Sequence, residues 1–291
     1  MSTVITPAAA PVSGLHEVLG GMAGILCDVW GVVHNGRTAF PEALAALARV
    51  RAAGLPVVLL SNTPRPRPPI LRQLQRFGVD GRHFDALVTA GDAAQEALRA
   101  LPHTAKIFHI GLERDLPIFD GLDLPLTDNL DAADVIVATG LYDEINETAE
   151  DYRDLLTPAA ARGLPMFCAN PDLVVHRGTE VLVCAGALAA FYETLGGPVR
   201  YFGKPHPAVY DMAMGVLQGL AGRSLAKTEV LAIGDGLVTD IAGARGYGLP
   251  CLLIKDGIHR AELPANQDDL AHALAAQGLP VPHWATDCLR W

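Results

Sequence analysis

The stretch Gly24-Ile-Leu-Cys-Asp-Val-Trp-Gly-Val-Val-His-Asn-Gly36 constrains this chain more than any other. Its first four residues form a short apolar run rich in β-formers, which reads as a buried strand. The run stops at Asp28, and Gly31 and Gly36 follow as turn punctuation. A carboxylate at the C-terminal end of a buried strand stands where open α/β sheets place their chemistry. An isolated Asp after a strand more often caps a turn through nearby backbone N–H groups. The position therefore gains meaning only from what lies downstream.

Downstream, the pattern of strand, helix and polar strand end repeats. A helical pattern over Pro41–Ala53 opens on a proline and stops at Gly54. Leu55-Pro-Val-Val-Leu-Leu then reads as a strand ending in Ser61-Asn62-Thr63. Two strands joined by one helix make a right-handed βαβ unit, with both polar ends side by side. Pro64-Arg-Pro-Arg-Pro-Pro-Ile cannot be interior helix and is expected as a loop feeding a helix over about 69–77. Ala86–Thr89 is a further strand, and Gly91-Asp92 opens a helix. From Lys106 a second α/β series begins, with strands at 106–110, 133–140 and 165–169, irregular chain over 112–127, and helices over 147–161 and 184–196. The last third gives a short strand near Arg200, Lys204 before a proline-opened helix, a buried strand 229–233 ending in Gly234-Asp235, a helix over 240–248, and a strand at 250–254. Helix is expected again over 267–277, while residues 1–13 read as frayed and 283–291 as an irregular end.

Composition excludes several functions. Half of the 291 residues are hydrophobic and 19% are charged, which supports a large core rather than disorder. The net charge of −10, with no basic block, argues against a nucleic-acid surface. Cys27, Cys168, Cys184, Cys251 and Cys288 show no CxxC spacing and read as buried residues of a reducing compartment. The N-terminus lacks the build of a secretory signal, and no apolar run reaches the ~18 residues of a membrane span. A cytoplasmic protein with no membrane or nucleic-acid partner is expected.

Each polar strand end also has an ordinary use. Ser61-Asn62 could be turn chemistry, Lys204 a solvated surface lysine, Asp235 a loop cap and Asp240 an N-cap. His34, His206 and His259 lack metal-ligand spacing and read as surface or pocket-edge residues. Arg65 and Arg67 could meet an anionic substrate, although solvated loop charge is the commoner use. Glu144 and Asp172 carry only a thin case for touching substrate.

Taken in order, Asp28-Val-Trp-Gly-Val, Leu60-Ser-Asn-Thr, Gly203-Lys-Pro-His-Pro and Gly234-Asp-Gly-Leu-Val-Thr-Asp resemble the motifs of haloacid-dehalogenase-superfamily phosphatases. Ala169-Asn-Pro-Asp172 and the small-residue helix at Gly186 resemble the subclass with a large α/β cap, which includes NagD-like sugar- and nucleotide-phosphatases. The similarity covers roughly residues 22–260. It implies a Rossmann-like α/β core from 20–90 and 187–280, an α/β cap from 91–186, and terminal extensions at 1–19 and 281–291. By resemblance, Asp28 is the nucleophile that becomes an aspartyl-phosphate. Ser61 and Asn62 would bind the transferring phosphoryl group with nearby backbone amides, and Lys204 would neutralise charge on phosphate and Asp28. Mg²⁺ would be held by Asp28, the Trp30 carbonyl and Asp235, with Asp240 behind them or reaching the metal through water. The partner implied is a small phosphorylated molecule, and a cap-mediated homodimer is allowed.

One position departs from the pattern. The family's phosphatases place a second aspartate, the general acid and base, two residues after the nucleophile, where this chain has Trp30. An indole N–H has no usable acid–base chemistry, and the missing contribution is worth ~10²–10⁴ in rate. Three readings follow. The favoured one is a Mg²⁺-dependent phosphomonoester hydrolase with altered chemistry. The others are a metal-independent dehalogenase-type hydrolase, for which the Asp235…Asp240 pair would be superfluous, and a catalytically weak protein that binds a phosphorylated ligand.

Overall fold

The computed structural model describes residues 9–177, 180–264 and 267–291. In chain order the strands and helices are β1 (Ala10–Pro11), β2 (Gly24–Asp28), α1 (Pro41–Ala52), β3 (Val57–Ser61), α2 (Arg67–Arg76), β4 (Ala86–Thr89) and α3 (Ala90–Arg99). There follow β5 (Ile107–Ile110), β6 (Val135–Ala138), α4 (Arg153–Ala161), β7 (Met166–Cys168), β8 (Val174–Arg177), β9 (Glu180–Val183), α5 (Ala185–Thr194) and β10 (Val199–Tyr201). The chain ends with α6 (Pro207–Ala221), β11 (Val230–Gly234), α7 (Ala242–Tyr247), β12 (Cys251–Ile254), α8 (Gln267–Ala276) and β13 (Trp284–Thr286). Contacts divide it into two compact units, one of Met1–Ser61, Leu71–Leu87 and Tyr210–Trp291, the other of Asn62–Ile70 and Val88–Val209.

The first unit is built on a seven-stranded sheet ordered β1-β13-β12-β11-β2-β3-β4. The pairings from β1 through to β3 are parallel. Every residue of β2, β3 and β11 is buried, as expected of parallel strands covered on both faces. Their apolar runs, Ile25-Leu-Cys, Val57-Val-Leu-Leu and Val230-Leu-Ala-Ile, were legible as strands for that reason. The strand order reverses between β2 and β11, the switch point at which α/β sheets open a crevice at their C-terminal ends. Together with the second unit's parallel sheet, this is a Rossmann-like α/β fold.

The second unit has its own four-stranded sheet, β10-β7-β6-β5, parallel throughout. Its core includes Ile136, Leu156, Met166, Leu188 and Tyr192. Helix α3 starts on a capping box in which Thr89 Oγ1 accepts from Asp92 N–H while Asp92 Oδ2 accepts from Thr89 N–H, both at 3.0 Å.

Several sequence expectations need correction. The stretches read as extensions carry β1 and β13, which extend the large sheet beyond β12. The frayed start expected over 1–13 holds β1 within its described part, and residues 1–8 lie outside the described residues. The insert does not stop at 186. Strand β10 pairs with β7, and buried Tyr192 of α5 donates its hydroxyl to Leu164 O at 2.7 Å, so both elements belong to the second unit. The antiparallel hairpin β8–β9 was not anticipated. Residues 112–127 were expected to be irregular but contain a 3₁₀ segment, Glu113–Phe119. Helix α2 begins at Arg67, ahead of the expected start, because prolines 68 and 69 fall in its first turn, where no N–H partner is lost. Among the described residues, no helix is long and apolar enough to cross a membrane.

Candidate active site

The site in the first unit begins with strand register. Ile233 of β11 is level with Cys27 of β2, and Asp28 is level with Leu60 of β3. Asp28, Ser61 and Asp235 therefore stand at the C-terminal ends of three adjacent parallel strands. Asp240 arrives by a different route. After β11 the chain makes one turn of π-helix, Leu237–Ile241, with Ile241 N–H donating to Gly236 O at 3.0 Å. Such wide turns are rare and concentrate at functional sites. The sequence suggested an ordinary helix start at Asp240. The turn instead folds its carboxylate back, so that Oδ2 accepts from Gly236 N–H at 3.0 Å.

Asp28, Asp235 and Asp240 each offer an oxygen, and these oxygens lie within 4.8 Å of one another. The three residues are 7%, 5% and 8% exposed. Like charges so close and so dry repel strongly unless a cation or protons intervene. An all-oxygen carboxylate set suits a hard divalent ion of the Mg²⁺ kind. The surrounding backbone comes in tightly. Ile258 N–H donates to Asp235 Oδ2 at 2.7 Å. A Cβ at Gly31, whose φ is +86°, would fall 2.1 Å from Asp235 Oδ2, so only glycine fits there.

Trp30 is half-buried, and its ring meets His34 edge-on with centroids 5.2 Å apart. His34 in turn packs edge-on against Phe77 at 5.1 Å. The sequence offered a surface or pocket-edge position; His34 is not at the surface but 3% exposed, and burial pushes its pKa down to about 4. Its Nδ1 accepts from Gly36 N–H at 2.9 Å, a bond that requires the unprotonated nitrogen. His34 is thus neutral at pH 7 and cannot act as the missing acid.

Lys204 and Asn62 belong to the second unit, and both are buried. The Asn62 amide accepts from Lys204 N–H at 2.7 Å and donates to Lys204 O at 3.1 Å and to Asp172 Oδ1 at 2.8 Å. Asp172, for which the sequence made only a thin case, is joined to the Ser61-Asn62 motif by that bond. Arg65 faces buried Asp115 at 3.7 Å, and Arg67 pairs with Asp92 at 3.3 Å. Glu144 pairs with Arg114. Burial raises the Asp115 carboxyl to about 6, against the pull of Arg114 and Arg65. Sequence reading did not single out Arg114 or Asp115. The Glu113-Arg-Asp run just after β5 was the available signal.

A solved hydrolase of the haloacid dehalogenase-like family from Brucella suis 1330 is 43% identical to this chain, covers 95% of it over 98% of its own length, and superposes with a TM-score of 0.84. The family model described as haloacid dehalogenase-like hydrolase matches residues 25–125, and one described as HAD-hydrolase-like matches 201–277. This chain belongs to the haloacid dehalogenase-like hydrolases. Two further relatives of this hydrolase are similar over most of its length. Chronophin of Homo sapiens is 27% identical over 298 residues, covering 95% of this chain and 94% of its own. The ribonucleotide monophosphatase NagD of Escherichia coli K12 is 27% identical over 239 residues, covering 80% of this chain and 88% of its own. The matched segments contain all four motifs read from the sequence, with Asp28 and Ser61 in the first and Lys204, Asp235 and Asp240 in the second.

Proposed function

We propose that this hydrolase cleaves small phosphomonoesters with the help of Mg²⁺, through a phosphoryl group carried on Asp28. The observation that carries the reading is the buried Asp28–Asp235–Asp240 cluster at the strand ends. The name of the NagD relative, a ribonucleotide monophosphatase, points to the same substrate class.

A carboxylate suits the nucleophile's role because an aspartate ordinarily needs no base to ionise at neutral pH. The Asp28 carboxylate attacks phosphorus, the bond to the leaving oxygen breaks, and an acyl phosphate forms on Asp28. Water then cleaves that acyl phosphate, releasing inorganic phosphate and restoring the carboxylate. The Ser61 hydroxyl and neighbouring backbone amides would hold the phosphoryl oxygens, and the Lys204 ammonium would offset their charge. Asp28, Asp235 and the Trp30 carbonyl would hold the cation, with Asp240 braced by Gly236 behind them. Bound there, Mg²⁺ supplies positive charge that stabilises the transferring group. The α/β insert would serve as the cap that governs specificity. With Trp30 and a neutral His34 unable to donate a proton, good leaving groups should be cleaved far better than poor ones. The carboxylate cluster favours this reading over a metal-independent dehalogenase, because three oxygens gathered this closely suit a divalent cation.

The test is to trap the intermediate. Acid-quenched enzyme turning over an aryl phosphate should carry one phosphoryl group on the peptide containing Asp28, as read by mass spectrometry. Asp28→Asn should lose the label and roughly 10⁴-fold or more of the rate while keeping its fold. Undiminished turnover in that variant would remove Asp28 as nucleophile.

A further inference from the structure

Asn62 follows Ser61 directly, and the sequence reading counted it among the residues that bind substrate. In the structure that side chain is occupied elsewhere. An amide has one acceptor oxygen and two donor hydrogens. Here the oxygen takes Lys204 N–H, and the nitrogen donates to Lys204 O and to Asp172 Oδ1. Only one orientation of the amide satisfies these partners. Its reverse would set NH₂ against an N–H and oxygen against a carbonyl and a carboxylate. The partners lie 142 and 110 residues away in sequence, so this is a tertiary device and not turn chemistry.

The surroundings are shaped to it. Gly203 has φ +122°, and a Cβ there would lie 2.7 Å from Asn62 Oδ1 and 2.8 Å from Pro171 Cδ. Asp172 is itself tied down. Its N–H donates to Asn170 Oδ1 at 3.1 Å, its carbonyl accepts from Gly186 N–H at 3.1 Å, and Leu173 O accepts from Cys184 N–H at 2.9 Å at the start of α5. A continuous chain of hydrogen bonds therefore runs from α5 through the Asn170-Pro-Asp172 loop to Asn62 and on to the backbone of Lys204.

We infer that Asn62 is a positioning residue: its amide fixes the backbone from which the Lys204 ammonium extends, and Asp172 sets the orientation of that amide. The role of Lys204 rests on the phosphatase reading; the pairing of Asn62 with Asp172 does not. With both of its N–H donors given to Lys204 O and Asp172 Oδ1, the Asn62 amide has none left for a phosphoryl oxygen.

Four proteins test this: wild type, Asn62→Asp, Asp172→Asn and the double variant, each assayed with an aryl phosphate and melted. Asn62→Asp keeps the acceptor for Lys204 N–H, loses both donors and sets two carboxylates face to face. It should lose roughly 10–100-fold in kcat, with KM within about threefold. Asp172→Asn retains a weaker acceptor and should lose a few-fold. In the double variant Asn at 172 can donate to Asp at 62, so most of the single variant's kcat should return. A rise in KM with kcat intact would place the Asn62 side chain on substrate and overturn the inference. So would a lower melting temperature with kcat intact, or a double variant no better than Asn62→Asp. A wild type silent toward the aryl phosphate would instead defeat the phosphatase reading. The melting temperatures of the same proteins would then decide the pairing, restored stability in the double variant supporting it and unrestored stability overturning it.

Discussion

Trp30 is the residue at which this hydrolase leaves its family's pattern, and its effect is local. The indole packs against His34, which in turn packs against Phe77, so the position is filled by a row of rings meeting edge-on. No carboxyl stands there to protonate a departing alkoxide. Trp30→Asp should therefore accelerate alkyl phosphates selectively, by up to ~10²-fold in kcat/KM at saturating Mg²⁺. Aryl phosphates, whose leaving groups need little protonation, should change much less. Equal effects on the two classes would mean that proton donation is not what Trp30 withholds. The departure itself was legible, because it lies two residues from a recognisable nucleophile. The use of the Asn62 amide was not, since nothing in local spacing reveals a bond spanning more than a hundred residues.

At the scale of elements, the β2–α1 connection shows how a short segment builds a site edge. Val33 and His34 N–H both donate to Val29 O, and Gly31 N–H donates to His34 O at 2.8 Å, folding the chain back so that the His34 ring is buried. A histidine held near pKa 4 must remain neutral for the fold to persist. Its folded value lies below its unfolded value near 6.5, so its contribution is fully present above pH 6.5 and is lost as pH falls towards 4. His109 and His283 are also lowered to about 4 by burial and add to the same acid slope. His34→Gln should therefore flatten, without abolishing, the fall of melting temperature between pH 6.5 and 4. An unchanged slope would remove His34 from the acid response. The buried strands were read correctly because continuous apolar runs announce them. Hairpin β8–β9 and strand β13 were missed for the opposite reason. Val174–Arg177 and Glu180–Val183 mix charge with β-formers, and Trp284–Thr286 is too short to show any period.

For the whole molecule, an order of motifs proved more informative than any one of them. Asp28, Ser61 and Asp235 each have an ordinary explanation alone, but parallel topology brings their three strand ends together. Asp240 joined them through a π-turn that no sequence pattern specified. The insert was visible as a second α/β series, yet its far end was not. Lys204 sits in a stretch that reads like the start of the returning core, while pairing assigns β10 to the insert's sheet. A chain with a net charge of −10 also gathers three buried carboxylates, an arrangement that a bound divalent cation would stabilise. The measurement that tests this most directly is aryl phosphate hydrolysis by wild type, with Mg²⁺ present and again with EDTA. The account predicts turnover that depends on Mg²⁺ and disappears on chelation. Equal rates in both conditions, or hydrolysis of a haloacid in EDTA with none of the phosphate ester, would contradict it.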